Sequence, residues 1–184
     1  MDSESIFLTA NADTIYYIGF IDLTDGAMVV ETPPDALGVI DDMWFRHVID
    51  FGRPGPDRGE GGRFLLVPAE YERPLPDSGF HVACVPTTRA LVLGRSFLVD
   101  NDPAPTVELI KARLKTYPYA PGGYGTSIKT LLLGETPTAA HAEPPPTSFV
   151  EGSGLAFNTV PPNDHTYFEL MNELVQQEPA GALD

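Results

Sequence analysis

Cysteine is almost absent from this sequence, since Cys84 is the only one in 184 residues. A single thiol excludes an internal disulfide and any metal site built from several cysteines. Cys84 lies in an apolar run over residues 80–85, so we expect a buried small hydrophobe rather than a nucleophile. The cysteine count leaves the redox compartment open.

Basic residues are also scarce, with 11 Lys and Arg against 26 Asp and Glu and a formal net charge of -15. Binding to nucleic acid or to an anionic membrane relies on clustered Lys and Arg. The composition therefore argues against both partners. The acidic residues are spread along the chain, which is typical of a solubilising surface rather than of a cation site.

Long hydrophobic runs are missing, and no apolar stretch approaches the ~20 residues that a transmembrane helix needs. The first five residues are acidic rather than basic, unlike the start of a signal peptide. We expect a soluble chain without a membrane span, and its localisation stays unknown. The length suits one ordinary domain with a sizeable core.

Strand-forming sequence dominates the first hundred residues. It begins with NADTIYYIGFID over residues 11–22, where a polar loop leads into an aromatic and β-branched run. A turn sequence, TDG, and a second extended pattern over 27–31 follow directly. This arrangement predicts a β-hairpin.

Further extended segments are predicted over 39–51, 63–67, 80–85 and 90–99. The stretch 52–62 is so rich in glycine and proline that we expect a long mobile loop there. No helical pattern precedes residue 103, which disfavours a parallel α/β sheet. The predicted fold class is mainly β, an antiparallel sandwich or jelly-roll-like sheet with one or two peripheral α-helices.

Two helices are expected after residue 103. The first covers about 105–117 and ends before Pro118. The second begins with Asn163 or Asp164 as N-cap, and its apolar face should bury Leu170 and Leu174. An apolar piece over 128–133 lies between the two helices.

The domain organisation follows from these elements. We predict a β-rich domain over 1–133, a proline-rich linker or loop over 134–147, and an extended segment with the C-terminal helix over 148–184. The helix is expected to pack on the β-rich domain or on a missing partner domain.

A polar group at the start of the first strand is the strongest candidate for ligand binding. A carboxylate, an amide and hydroxyls at a loop-to-strand junction can orient a ligand, and the candidates are Asn11, Asp13, Thr14 and Tyr16. Such side chains also bond neighbouring backbone amides in turns, which is the commoner role. Arg89 and Arg95 flank an apolar strand, where one of them can point into a cavity and hold an anion, and Arg95 joins the candidates. A surface ion pair is the commoner role of an arginine at the end of a strand.

No established catalytic or metal motif is complete. The four histidines are far apart and match no short metal spacing, so no metal site is predicted. The glycine run over 122–125 lacks the dinucleotide fingerprint, and the sequence around Ser153 does not complete a nucleophile elbow. Catalytic residues remain unknown, no cofactor is implied, and whether the chain is an enzyme stays open.

Three stretches together resemble the bacterial family of domain of unknown function 1254: NADTIYYIGFIDLTDGAMVVETP, RFLLVPAEYERPLPDSGF and TTRALVLGRSFLVDN. The tail from residue 149 resembles the segment that leads toward a partner domain of unknown function 1214. The resemblance implies a β-rich sandwich, found often in exported proteins, without a settled activity. It also implies that this chain is partial at both ends.

Two functions of different classes are compatible with these features. The leading hypothesis is a β-sandwich domain that binds a small ligand or interacts with a sister domain or a second copy. The alternative is a hydrolase or lyase acting on a small organic substrate. In that alternative Asp13 or a histidine acts as base, Tyr16 as acid and Arg95 as anion clamp. As part of a larger folding unit, the chain should expose apolar surface and self-associate.

Overall fold

A computed structural model of the protein describes residues 11–121, 124, 143–155 and 158–179. Within these ranges the chain forms eight strands and two helices. In chain order they are β1 (Thr14–Asp22), β2 (Met28–Glu31), β3 (Ala36–Asp42), β4 (His47–Gly52), β5 (Arg63–Pro68), β6 (His81–Val85), β7 (Arg89–Phe97), α1 (Pro103–Arg113), β8 (Lys115–Pro118) and α2 (His165–Gln177).

The strands form two four-stranded sheets in a sandwich-like arrangement. The first sheet has the order β1-β7-β3-β4 and is antiparallel throughout. The second has the order β6-β5-β2-β8, in which only the β5–β6 pair is parallel. This architecture confirms the predicted mainly β fold class.

The main core lies between the inner faces of the two sheets. The first sheet contributes Ile40, Phe51 and Val92, and the second contributes Phe64 and Leu66. Ile110 of helix α1 and Leu114 directly after the helix add their side chains to the same cluster. Each large apolar side chain buried in this way contributes about 1.5–3 kcal/mol, so this interior is the main source of stability.

One row of the first sheet combines two aromatic rings with two glycines. Tyr17 faces Gly94 across β1 and β7, and Gly94 faces Gly38, which faces Phe51 in β4. A Cβ atom at Gly38 would lie only 2.0 Å from Cζ of Phe51. The rings of Tyr17 and Phe51 therefore fill the space above the glycines, and they stack with centroids 6.3 Å apart.

The predicted hairpin between the first two strands is wrong. β1 pairs with β7 in the first sheet, whereas β2 pairs with β5 and β8 in the second. The connection crosses between the sheets, and Leu23 is buried there while its N–H donates to the carbonyl of Thr88 at 2.8 Å. The turn exists as predicted, but a turn sequence does not determine which strand becomes the partner.

The extended segment predicted over 39–51 is two strands joined by a tight turn. Asp42 directs this turn, because its Oδ1 accepts from the N–H groups of Trp44 (2.8 Å) and Arg46 (2.9 Å). Its Oδ2 lies 2.7 Å from Nε of Arg46. Phe45 takes a positive φ of 61° at the tip and is exposed. The side-chain hydrogen bonds of Asp42 therefore reverse a chain whose composition suits a continuous strand.

The glycine- and proline-rich stretch after β4 contains no helix or strand, as predicted, but it is a compact set of turns. Asp57 is buried, and its Oδ1 accepts from the N–H of Gly52 at 2.8 Å. Gly59 donates to the carbonyl of Gly52 at 2.9 Å, and Asp35 donates to that of Gly59 at 2.8 Å. We therefore correct the predicted mobile loop to a hydrogen-bonded cluster of turns.

Helix α1 is displaced from its predicted position. Asp102 caps it by accepting from the N–H of Ala104 at 3.0 Å, and the helix ends at Arg113. Tyr117, predicted as helical, lies instead on β8, where pairing with β2 supplies hydrogen bonds along the strand. The apolar piece over 128–133 lies outside the described residues, as does the stretch 134–142.

Helix α2 forms where it was predicted. Asp164 is its N-cap and accepts from the N–H of Thr166 at 2.9 Å. Its predicted burial is wrong, because Leu170 is 51% exposed, Leu174 is 38% exposed, and α2, all of which is described, buries no residue. Amphipathic spacing predicts that a helix forms and that it has an apolar face. It does not predict whether other parts of the same chain cover that face.

Cys84 was expected to be buried, and the structure shows that it is exposed. β6 is an edge strand of the second sheet. Ala83 and Val85 point into the core, so alternation turns Cys84 outward. An apolar run therefore identified the strand but not which of its side chains are covered.

Candidate functional site

The outward side of the first sheet is unusually apolar. Among the side chains that alternation along β1, β7 and β3 turns away from the core, we call eight the outer face: Tyr16, Ile18, Phe20, Leu37, Val39, Leu91, Leu93 and Arg95. Ile18 is 46% exposed and Phe20 is 63% exposed. An apolar patch on a sheet face is a recognised mark of an interaction site.

Two of the predicted site residues meet on this face. Tyr16 and Arg95 are direct register partners in β1 and β7. Nη1 of Arg95 donates to the Tyr16 hydroxyl at 3.4 Å. Together with residues of β3 they line a cleft of about 310 Å³, at the lower limit for a small-molecule pocket. The pair places a cation and a phenol beside the apolar side chains.

The other predicted site residues form a turn at the entry to β1. Oδ1 of Asn11 accepts from the N–H of Asp13 at 3.0 Å and from Oγ1 of Thr14 at 2.9 Å. The carbonyl of Asp13 accepts from the N–H of Leu98 at 3.2 Å. These are the contacts of the structural role that Asn and Thr commonly have before a strand. The structure thus joins Asn11 with Thr14, and Tyr16 with Arg95.

Asp41 is a buried carboxylate near the opposite end of the outer face. It pairs with Leu91 of β7 on one side and with His47 of β4 on the other. Burial raises the pKa of Asp41 above its ordinary value, while His47 acts in the opposite direction. Burial therefore opposes the charged form of this carboxylate, and the neighbouring His47 favours it.

The C-terminal helix is anchored beside the strand that supplies part of the outer face. Oε2 of Glu178 accepts from the N–H of Thr88 at 2.5 Å, and Oε1 accepts from its hydroxyl at 2.9 Å. Arg89, the first residue of β7, donates to Gln177. The helix exposes six large apolar side chains: Tyr167, Phe168, Leu170, Met171, Leu174 and Val175.

A second cleft lies at one end of the second sheet and was not predicted. It has a volume of about 520 Å³, and we call it the polar cleft. Its main side chains are Glu31, Glu60, Arg63, Phe80, His81 and Arg113. These residues come from separate segments of the chain, so no sequence motif indicated the cleft. The sequence feature that could have drawn attention to the cleft is the pair of glycines directly before Arg63, at the start of β5.

The described histidines lie on separate elements, with His47 on β4, His81 on β6 and His165 on α2. His141 lies outside the described residues. In the part of the chain that the structure describes, no three His, Cys, Asp or Glu side chains are grouped so as to hold a metal ion. No helix in that part is long and apolar enough to cross a membrane.

The two packed sheets and the apolar outer face define a β-sandwich domain with an exposed, partly aromatic surface. A family model described as protein of unknown function (DUF1254) matches residues 1–118, so the chain belongs to the DUF1254 family. This result confirms the resemblance for that part of the chain. No curated protein matches the sequence.

The fold is similar to the crystal structure of the VPA0106 protein from Vibrio parahaemolyticus. The TM-score is 0.55 at 17% sequence identity, and the match covers 93% of this chain and 38% of the other. At this identity the likeness shows the fold alone. The present chain therefore spans only about 38% of the length of that structure.

Proposed function

We propose that this domain is an interaction module whose outer face docks onto the DUF1214 domain of a full-length family protein. The observation that supports the proposal most directly is the exposure of Ile18 and Phe20 on the outer face. Apolar side chains grouped on an exposed face mark protein interaction sites.

The second sheet of the same molecule provides an internal comparison. Its outward side is also apolar, with Val29, Leu65 and Tyr117 buried there. Loop aromatics such as Tyr71 and Tyr119 pack against that cluster. The first sheet leaves Phe20 exposed instead. Since one outward face is covered within the chain, a partner domain that covers the other is a consistent arrangement.

The composition of the outer face suits a protein partner. Aromatic residues and arginine dominate the binding energy of known interfaces, and Tyr16, Phe20 and Arg95 are of these types. The hydrogen bond between Tyr16 and Arg95 limits the freedom of both side chains. We propose that Arg95 binds a carboxylate or a carbonyl of the partner at the border of the apolar contact.

Helix α2 is proposed to contribute a second surface to the same contact. Glu178 and Gln177 hold its C-terminal end against the Thr88–Arg89 segment, next to β7. The apolar side chains of α2 remain exposed. The sequence of this region resembles the approach to the DUF1214 domain, which agrees with a partner on this side of the molecule.

Calorimetric titration with a separately produced DUF1214 domain tests the proposal. We expect Phe20→Ser to weaken binding at least about tenfold, because a buried aromatic anchor is worth more than ~1.4 kcal/mol. Val82→Ser is the matched control, since Val82 is also an exposed apolar strand residue but lies on the edge strand β6. Equal affinities of the two variants would show that the outer face is not the docking surface.

A hydrolase or lyase of small organic substrates is the second candidate. It is favoured by the Tyr16–Arg95 pair, because a phenol can transfer a proton to a group that a guanidinium holds. The test is turnover of an ester, lactone and amide panel. Activity that disappears in Tyr16→Phe at an unchanged melting temperature supports the enzyme. A panel without turnover leaves the interaction module as the better account.

A further inference from the structure

The polar cleft lies on the second sheet and belongs to none of the surfaces proposed for docking. Its walls come from the end of β2, the starts of β5 and β6, the loop before β5, and the last residue of α1. Its volume of about 520 Å³ falls within the range of small-molecule pockets. It is therefore large enough for a small organic ligand.

Two arginines, Arg63 and Arg113, line this cleft. Neither Arg63 nor Arg113 forms an ion pair with a carboxylate within residues 11–121, 124, 143–155 and 158–179. Two guanidinium groups that have no ion-pair partner in the described part of the chain favour an anionic ligand in this cleft.

The position of Arg63 is determined by its neighbours. Its Cζ atom lies 4.8 Å from the centre of the Phe80 ring, in a cation–π contact. A Cβ atom at Gly79 would lie 3.0 Å from Nη2 of Arg63, so the guanidinium packs closely against a residue without a side chain. These contacts hold the planar donor group at the cleft before any ligand arrives.

Glu31 is the register partner of Arg63 across β2 and β5, but its carboxylate forms its contacts with other residues. Oε1 of Glu31 accepts from the Tyr117 hydroxyl at 2.6 Å, and Oε2 lies 4.0 Å from Nζ of Lys115. Glu31 is therefore engaged with residues of β8. Glu60 is exposed. A ligand carboxylate can thus approach the two guanidinium groups without displacing an existing ion pair.

We propose that the polar cleft binds a small organic carboxylate. Arg63 and Arg113 hold the carboxylate, because guanidinium groups match its two oxygens in geometry and charge. The half-buried His81 supplies a further ring nitrogen, and Phe80 supplies apolar contact for the carbon part of the ligand. This site lies apart from the outer face, so it can be tested independently of docking.

Amide chemical shifts provide the test, with benzoate and succinate as probes and benzamide as the neutral control. Gly61, Gly62 and Gly79 line the cleft, so their amide signals report on it directly. We expect saturable shifts with at least one carboxylate, weaker binding at higher salt, and no saturable shift with benzamide. Unchanged glycine signals with both carboxylates, or equal shifts with benzamide, would overturn the proposal.

Charge-removing variants identify the groups responsible. Arg63→Gln and Arg113→Gln should each raise the dissociation constant of the bound carboxylate at least about fivefold, as expected for the loss of a charge-assisted hydrogen bond. Arg73→Gln is the control, because it makes the same charge change at an exposed residue outside the cleft lining. Melting temperatures verify folding. Equal dissociation constants for all three variants would also overturn the proposal.

Discussion

The ring of Tyr17 lies directly on Gly94, its register partner in β7. A Cβ atom at residue 94 would be 2.2 Å from Cε2 of Tyr17, which is closer than any van der Waals contact. The aromatic ring thus takes the space of a missing side chain on the neighbouring strand. This relationship makes the inner face of the first sheet sensitive to a single added methyl group.

We predict that Gly94→Ala destabilises the protein by about 1–3 kcal/mol, because the added methyl must displace the Tyr17 ring in a packed core. Urea unfolding monitored by circular dichroism measures the change. Gly19→Ala is the matched control in β1, since a Cβ atom there meets nothing within 4 Å. That variant should be neutral or slightly stabilising, because alanine restricts the unfolded chain. Equal losses for both variants would contradict the packing argument.

Removal of the Tyr17 hydroxyl should have little cost. Tyr17 Oη, Ser96 Oγ and Asp57 Oδ2 are buried without a hydrogen bond of standard geometry. Because an unsatisfied buried hydroxyl is unfavourable, we expect Tyr17→Phe to change stability by less than about 1 kcal/mol in either direction. A loss above about 2 kcal/mol in urea unfolding would reveal a hydrogen bond, direct or through water, that this geometry lacks.

The stability of the protein should decrease at alkaline pH. Burial raises the pKa of Tyr17, and burial together with the hydrogen bond to Glu31 raises that of Tyr117, in both cases above the ordinary value of about 10. The unfolded chain therefore loses these protons first, and the stability they contribute declines as pH rises above about 10. Urea midpoints measured from neutral to alkaline pH test this, and Tyr17→Phe should show a shallower decline than the wild type.

Because the apolar residues of α2 are exposed, substituting one of them should have little effect on the stability of the isolated chain. Leu170→Ala should change the free energy of unfolding by less than about 0.5 kcal/mol, as is usual for surface substitutions. Leu66→Ala, at a fully buried position, should cost about 2–5 kcal/mol. If docking involves α2, Leu170→Ala should weaken binding to the DUF1214 domain. A large loss of stability from Leu170→Ala alone would show that the helix is packed in solution.

The outer face also predicts self-association of the chain by itself. The charge of -15 opposes contact between copies, and salt screens this repulsion. Light scattering should therefore show growing assemblies as salt and protein concentration rise, and Phe20→Ser should suppress them. A wild-type chain that remains strictly monomeric and binds no hydrophobic dye would contradict this prediction.

Local sequence was sufficient to predict much of the secondary structure. The β-branched and aromatic runs identified β1, β5, β6 and β7 to within a few residues, and the helical spacing after Asp164 identified α2. These features depend on residues close together in the chain, where backbone preference and alternation act directly. The mainly β class followed from the number of such strands. The proposed domain boundaries remain predictions.

The choice of partner for each strand was decided by the tertiary structure. The TDG turn forms, with the N–H of Gly26 donating to the carbonyl of Leu23 at 3.0 Å, but the strand after it pairs in the second sheet. Asp42 split one predicted strand into two through hydrogen bonds to the backbone of its own turn. Local backbone preference does not distinguish between alternative strand partners, so the pairing of strands depends on contacts between distant segments.

For the candidate sites too, the sequence suggested individual residues and the tertiary structure decided which of them lie together. Composition suggested Tyr16 and Arg95 separately, and the β1–β7 register brought them into hydrogen-bonding contact. Arg63 and Arg113 share a cleft only because β5 and the end of α1 meet at one end of the second sheet. Residue type sets what a side chain can bind, whereas its neighbours are set by long-range packing of the sheets.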